Sequence, residues 1–168
     1  MSRTRHSITD ETNLKILELL QENCKLGVQK ISDIVGMGIS TVHARIKAME
    51  QNNIIKQYSA ILDPVLLNRP TLALIFVTIR YRVPGEPDLL SQKKFCEEIS
   101  KHHFVQDVFV MSGQYDVFLK VRTKDVEEMN QFIVGFLREL PAVDRTLTMF
   151  IMGNFLETQE LRKLAPED

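Results

Sequence analysis

Apolar positions in the first third of the chain recur at helical spacing. Val28, Ile31, Ile34 and Val35 form one such run, and Ile39, Val42, Ile46 and Met49 form a second. Gly36 stops the first run, as a residue free to take positive φ does, and Gly38 opens the second. Two helices, each with one apolar stripe and joined by about three residues, predict a helix-turn-helix over Gly27 to Glu50. Upstream, residues 1–8 read as a polar tail. Thr9, Asp10 and Glu11 open another helix with a capping hydroxyl and two acids, and Ile16, Leu17, Leu20 and Cys24 give its inward face. The pattern therefore predicts a three-helix unit over residues 1–53. Its core is small, so a partner surface is expected.

After Asn52-Asn53 the periodicity changes. Ile54 to Leu62 alternates and stops at Asp63-Pro64, which predicts a hinge strand over residues 54–64. Residues 65–168 form the second predicted domain. Thr71 to Tyr81 reads as a strand, Val83 to Pro87 as a loop, and Asp88 to His102 as a helix with Phe95 and Ile99 inward. Phe104 to Met111 is a strand, Ser112-Gly113-Gln114 a turn, and Tyr115 to Arg122 a strand. Asp125 to Leu140 is a helix stopped by Pro141, and Val143 to Met152 is the last strand. The order βαββαβ makes the fold α+β: a helix-turn-helix domain followed by a ferredoxin-like domain with helices on one face of an antiparallel sheet. The first of these strands is apolar on both parities, so the face away from the helices needs cover. A second copy of the chain is the simplest cover, which predicts a dimer. The segment from Gly153 is increasingly charged and reads as one more strand, one more helix or a frayed end.

The second helix of the pair carries the candidate chemistry. Opposite Val42, Ile46 and Met49 lie Ser40, Thr41, Ala44, Lys47 and Ala48, with His43 and Arg45 on the flanks. Small and polar side chains allow close approach to base edges in a DNA major groove, and flanking cations reach phosphates. Any surface helix also presents polar and basic residues outward. Lys56 joins the phosphate candidates because the hinge follows the recognition helix. Net charge is −1, so DNA binding must rest on a local patch multiplied by dimerisation. The two cysteines, Cys24 and Cys96, lie far apart in helical apolar patterns and read as buried free thiols. His102 and His103 close a helix, where a partly cationic ring suits the dipole. No metal-ligand spacing, catalytic constellation or cofactor motif is present. No apolar run reaches the roughly 18 residues of a membrane span, and no signal-peptide core opens the chain, which predicts a cytoplasmic protein.

Taken together the two halves resemble the leucine-responsive regulator/AsnC family of transcription factors over roughly residues 8–160. The resemblance rests on six pieces in order: Ile16-Leu17-Glu18-Leu19-Leu20, the turn Ile31 to Gly38, Arg45 to Glu50, the hinge Ile54 to Pro64, the turn Ser112-Gly113-Gln114-Tyr115-Asp116, and Leu140-Pro141-Ala142-Val143. The chain departs from the family's pattern in having Gly38 where Ser or Thr usually opens the recognition helix. Lys25 stands where Arg is frequent, Asn53 where Gly is usual, and the loop Val83–Pro87 is longer. The resemblance implies a non-enzymatic regulator that binds double-stranded DNA through its first domain. It also implies dimers or multiples of dimers formed through the second domain, and control by a small effector, usually an amino acid, at contacts between dimers. It places effector contacts at Gly113, Gln114, Tyr115 and Asp116, and on the last strand at Thr148, Met149, Phe150 and Ile151. Met149 stands where Tyr is common. Asp116 could hold an effector ammonium group or cap its own turn. Two other readings share this architecture: a sirohaem-type tetrapyrrole decarboxylase, and an effector-binding module without DNA binding. The segment Gln114 to Val121 has neither His nor Trp, which counts against the decarboxylase.

Overall fold

The computed structural model describes residues 10–82, 85 and 88–165. The chain forms two compact units. One comprises the residues up to Ile61 together with those from Leu156 onward, and the other comprises Leu62–Phe155.

The first unit is built on α1 (Glu11–Glu22), α2 (Val28–Val35) and α3 (Ile39–Gln51). The hydroxyl cap expected from Thr9 lies outside the described residues. Asp10 is the N-cap, its carboxylate accepting the Asn13 N–H at 2.8 Å. Gly36 takes φ 68° and ends α2, and its neighbour Met37 is tied back to Ser32, whose hydroxyl donates to the Met37 carbonyl. Gly38 is the N-cap of α3, with no side chain to satisfy the first turn. Asn53, at φ 56°, ends the recognition helix in the left-handed region that Asn tolerates. Ile16, Leu20, Ile31, Val42, Ile46 and Met49 make the core, with Ile55 packed against it. Two expectations fail here. Cys24 lies beyond the end of α1 and is exposed, so only Cys96 is partly covered, and both thiols are free. Ile34 and Ile39, on either side of the turn, are also exposed, because three short helices enclose too little volume to cover both.

The segment read as a hinge strand carries no ladder within this chain. Its alternating pattern has no neighbouring strand to pair with. Tyr58 instead donates its hydroxyl to Glu50 Oε1 at 2.8 Å. Burial, followed by that hydrogen bond and the Glu50 charge, pushes the Tyr58 phenol up to about 12.

The second unit contains β1 (Thr71–Ile79), α4 (Gln92–Ile99), β2 (Val105–Val110), β3 (Val117–Thr123), α5 (Val126–Gly135) and β4 (Val143–Phe150). All pairings are antiparallel, and the order across the sheet is β2-β3-β1-β4. This is the βαββαβ arrangement predicted. The helices are shorter than the pattern suggested. Ser91, rather than Asp88, caps α4, and α5 gives way to a single 3₁₀ turn, Leu137–Glu139, before Pro141. The loop over residues 83–87 is described only at Gly85. Ala73, Ile75, Val77 and Ile79 face the helices and join Val117, Leu119, Val121, Met129, Phe132 and Leu137 in the core. The opposite parity of β1 is also apolar, as predicted. Leu74 and Phe76 pair across to Met149 and Leu147, and Phe76 stacks edge-on against Phe118 at 5.3 Å. Burial of only one sheet face costs this second face its cover within the single chain.

His102 does not present a cationic ring at a helix end. Its ring lies among Phe104, Phe132 and Phe136, with centroids 5.1, 4.7 and 4.6 Å away. Burial, and then the neighbouring His103, hold its pKa below the ordinary histidine value.

Candidate nucleic-acid interface and effector site

α3 divides as its sequence requires. Val42, Ile46 and Met49 are buried, while Ser40, Thr41, His43, Ala44 and Lys47 are all exposed on the opposite side. The helix is therefore anchored by one face and free on the other, which is what entry into a major groove needs. Lys56 is also exposed.

Arg45 behaves differently from its neighbours. Its guanidinium ion-pairs with Asp10 at 2.6 Å and donates to the Asn13 side-chain carbonyl at 2.9 Å. One arginine on α3 thus holds the first turn of α1 at its cap. Burial works against the charged Asp10 carboxyl. The Arg45 hydrogen bond, the Asn13 N–H and the guanidinium charge outweigh it and keep the carboxyl below its usual range. Periodicity placed Arg45 on the flank of the helix but could not place the carboxylate that meets it there.

In the second unit, the turn between β2 and β3 is closed by the Met111 N–H donating to the Asp116 carbonyl at 2.9 Å. Gly113 sits at φ 131°, a conformation that side-chain-bearing residues avoid. Gly113 and Gln114 are exposed, and Tyr115 is half-buried with its ring 5.3 Å from Phe76 on the open sheet face. Asp116 is already engaged. Its Oδ2 accepts the Ile79 N–H at 2.9 Å, where the β1–β4 register shifts, and its Oδ1 accepts the Tyr81 hydroxyl at 3.0 Å. The aspartate extends the β1 ladder with its side chain and raises the Tyr81 pKa through that hydrogen bond. Each carboxylate oxygen keeps one further lone pair for a ligand donor.

Phe150 and Ile151 do not meet that turn within one chain. Asp116 is bonded at Val77, which pairs with Thr146. Phe150 pairs with Ala73, and Ile151 donates to the Leu72 carbonyl. Four residues of strand separate these levels, about 13 Å. The candidates also alternate between faces: Thr148 and Phe150 take the parity of Ile75 and Ala73, and Met149 takes that of Leu74. Among the described residues no cluster of three or more His, Cys, Asp or Glu could hold a metal, and no helix is long and apolar enough to cross a membrane.

Comparison with known proteins agrees with this geometry. Residues 9–56 match a model described as a winged helix-turn-helix DNA-binding domain, and residues 75–161 match the Lrp/AsnC ligand-binding domain. The chain is 33% identical to the HTH-type transcriptional regulator FL11 of Pyrococcus horikoshii, over 90% of this chain and 95% of that one. It is 31% identical to the leucine-responsive regulatory protein of Haemophilus influenzae, over 96% and 94% of the two chains. Among solved structures, a transcriptional regulator in complex with L-Met from Neisseria meningitidis superposes with a TM-score of 0.81 at 28% identity. That match covers 90% of this chain and 95% of the other. These relatives are regulators rather than enzymes, and the decarboxylase reading is not favoured. The chain belongs to the Lrp/AsnC family of transcription regulators, with a DNA-binding helix-turn-helix and a domain through which a ligand modulates it.

Proposed function

We propose that this regulator works as a dimer or a multiple of dimers. Two copies of α3 read a near-palindromic site through Ser40, Thr41 and Ala44, while Lys47, His43 and Lys56 reach phosphates. The observation that carries the reading is the one-sided burial of α3, which leaves Ser40, Thr41, Ala44 and Lys47 exposed and Ala48 half-buried on the opposite face. Arg45 is better placed to hold α1 than to approach DNA. The dimer is supported by the open sheet face and by the turn after the hinge. There Asp63 Oδ1 accepts the Val65 and Leu66 N–H groups and leaves those apolar side chains 67% and 82% exposed. Residues 1–53 act as the DNA-binding domain, 54–64 as the hinge and 65–155 as the effector and assembly domain, while the residues from Leu156 onward cluster with the helical unit rather than with the effector domain as the sequence suggested. A cytoplasmic location fits a DNA-binding role.

The effector in this reading is a small amino acid, as the L-Met in the Neisseria relative suggests. The Gly113–Asp116 turn would supply Asp116 lone pairs for the ammonium group and backbone N–H groups for the carboxylate. Because Phe150 and Ile151 lie toward the other end of β1 from this turn, the site is completed by a second copy. Selection of bound DNA from a random pool, with and without each amino acid, tests the whole reading. A selected consensus whose affinity shifts with one amino acid is expected. Recovery of no consensus would remove it.

A further inference from the structure

The chain crosses between its two units twice: once after Ile61, and again after Phe155, where it returns to the helical unit. The returning segment has neither helix nor strand, yet it is held at two places on α1. Gln21 makes a closed pair with the backbone of one residue: its Nε2 donates to the Leu161 carbonyl at 3.1 Å, and its Oε1 accepts the Leu161 N–H at 2.8 Å. One turn earlier on the same helix, Glu18 Oε1 accepts two successive backbone N–H groups, from Leu164 at 2.7 Å and Ala165 at 3.2 Å. Lys163, at φ 55°, makes this possible. A left-handed residue turns adjacent N–H groups toward a single acceptor, an anion-binding concavity, and here the anion is a protein carboxylate. A side-chain-bearing residue keeps such a conformation only where its surroundings fix it.

We infer that residues 156–165 are a strap that carries the effector's signal to the DNA-binding unit. The inference rests on the effector reading above. The strap begins five residues after Ile151, the last of the β4 residues assigned to the effector site, and ends on α1. α1 is in turn joined to the recognition helix by Arg45 with Asp10 and Asn13. A ligand that displaces the end of β4 therefore pulls on the segment seated at Glu18 and Gln21. α1 buries Asn13, Ile16 and Leu20 against the other helices, so the strap occupies a different flank of the helix and can be released without opening the core.

The test compares the full chain with the double variant Glu18→Ala/Gln21→Ala, in which α3 and the Gly113 turn are untouched. Amide hydrogen exchange at Leu161, Leu164 and Ala165 should rise at least tenfold in the variant; unchanged exchange overturns the seat. Affinity for a duplex selected from the random pool is then measured with and without an equimolar mixture of the twenty amino acids. The wild type should shift at least threefold. The variant should bind the duplex equally well alone but lose the shift, while the mixture still slows exchange in the Gly113–Asp116 turn. A variant that keeps the shift overturns the strap as the conduit. A turn left unprotected by the mixture in the wild type removes the effector reading itself, and the strap's signalling role with it.

Discussion

At the scale of single residues, a basic side chain on a recognition helix need not serve DNA. Arg45→Ala should lower stability by about 1 kcal/mol, because Asp10 and Asn13 lose their partner. Urea unfolding of the variant measures this. Lys47→Ala should leave the urea midpoint unchanged but reduce the salt dependence of DNA binding by about one ion per protomer. If Arg45→Ala alters only the salt slope, the assignment is reversed. His102 gives a pH dependence of known sign. Its folded pKa lies below the ordinary 6.5, so the unfolded chain binds the extra proton first. The associated stability is complete above pH 6.5 and is lost as pH falls through the folded value. His102→Phe should flatten that limb of a denaturation series. An imidazole that titrates by NMR above the ordinary value would contradict its half-buried placement among the phenyl rings.

At the scale of elements, α3 and the β2–β3 turn each separate contact from support. Changes at Ser40 or Thr41 should shift the preferred base pairs by about 1–3 kcal/mol per position without weakening non-specific binding, which a repeated pool selection reads directly. Asp116→Asn keeps an acceptor for the Ile79 N–H but removes the charge. It should therefore lose amino-acid heat in calorimetry while the fold persists. Heat equal to that of wild type would move the ammonium site elsewhere. Most of these elements were legible in the sequence, because 3.6-residue and two-residue periods mark which face must be buried. Gly36, Asn53 and Gly113 were legible for the same kind of reason, since each backbone position demands an unusual residue. Some misreadings are local, at the ends of α1, α4 and α5; the others involve partners distant in sequence. Periodicity did not contain the Asp10 carboxylate that takes Arg45, the missing neighbour of the 54–62 segment, or the Phe132 and Phe136 rings that enclose His102. The turn and last-strand effector residues were named from resemblance, and only the sheet register separates them along β1.

For the whole molecule, the proposed dimer depends on the uncovered sheet face. Leu74, Phe76, Phe118, Leu147 and Met149 share one sheet face with Lys120, which stands across from Leu74 and faces Asp107 at 3.8 Å, and with Arg122 and Arg145 across from the two ends of β1. Burial of such a face by a second copy stabilises the pair by about 25 cal/mol for each Å² of apolar area removed from water. Phe76→Lys should therefore give a monomer in sedimentation at micromolar concentration, with DNA affinity falling as the two half-sites lose their shared reader. A wild-type monomer under those conditions would exclude the dimer.

The double crossing of the chain also bears on how the protein is made. Synthesis runs from the N-terminus, and domains generally fold as they emerge. α1, α2 and α3 leave the ribosome before the second unit and can pack at once around Ile16, Ile31 and Val42. Glu18 and Gln21, however, wait for Leu161 and Leu164, which are translated only after the whole of the second unit. The nascent protein thus holds a packed helix-turn-helix before residues 156–165 are seated. Ribosome-bound chains arrested before residue 156 should already protect the α3 amides from exchange, whereas α1 amides near Glu18 should gain their full protection only on release.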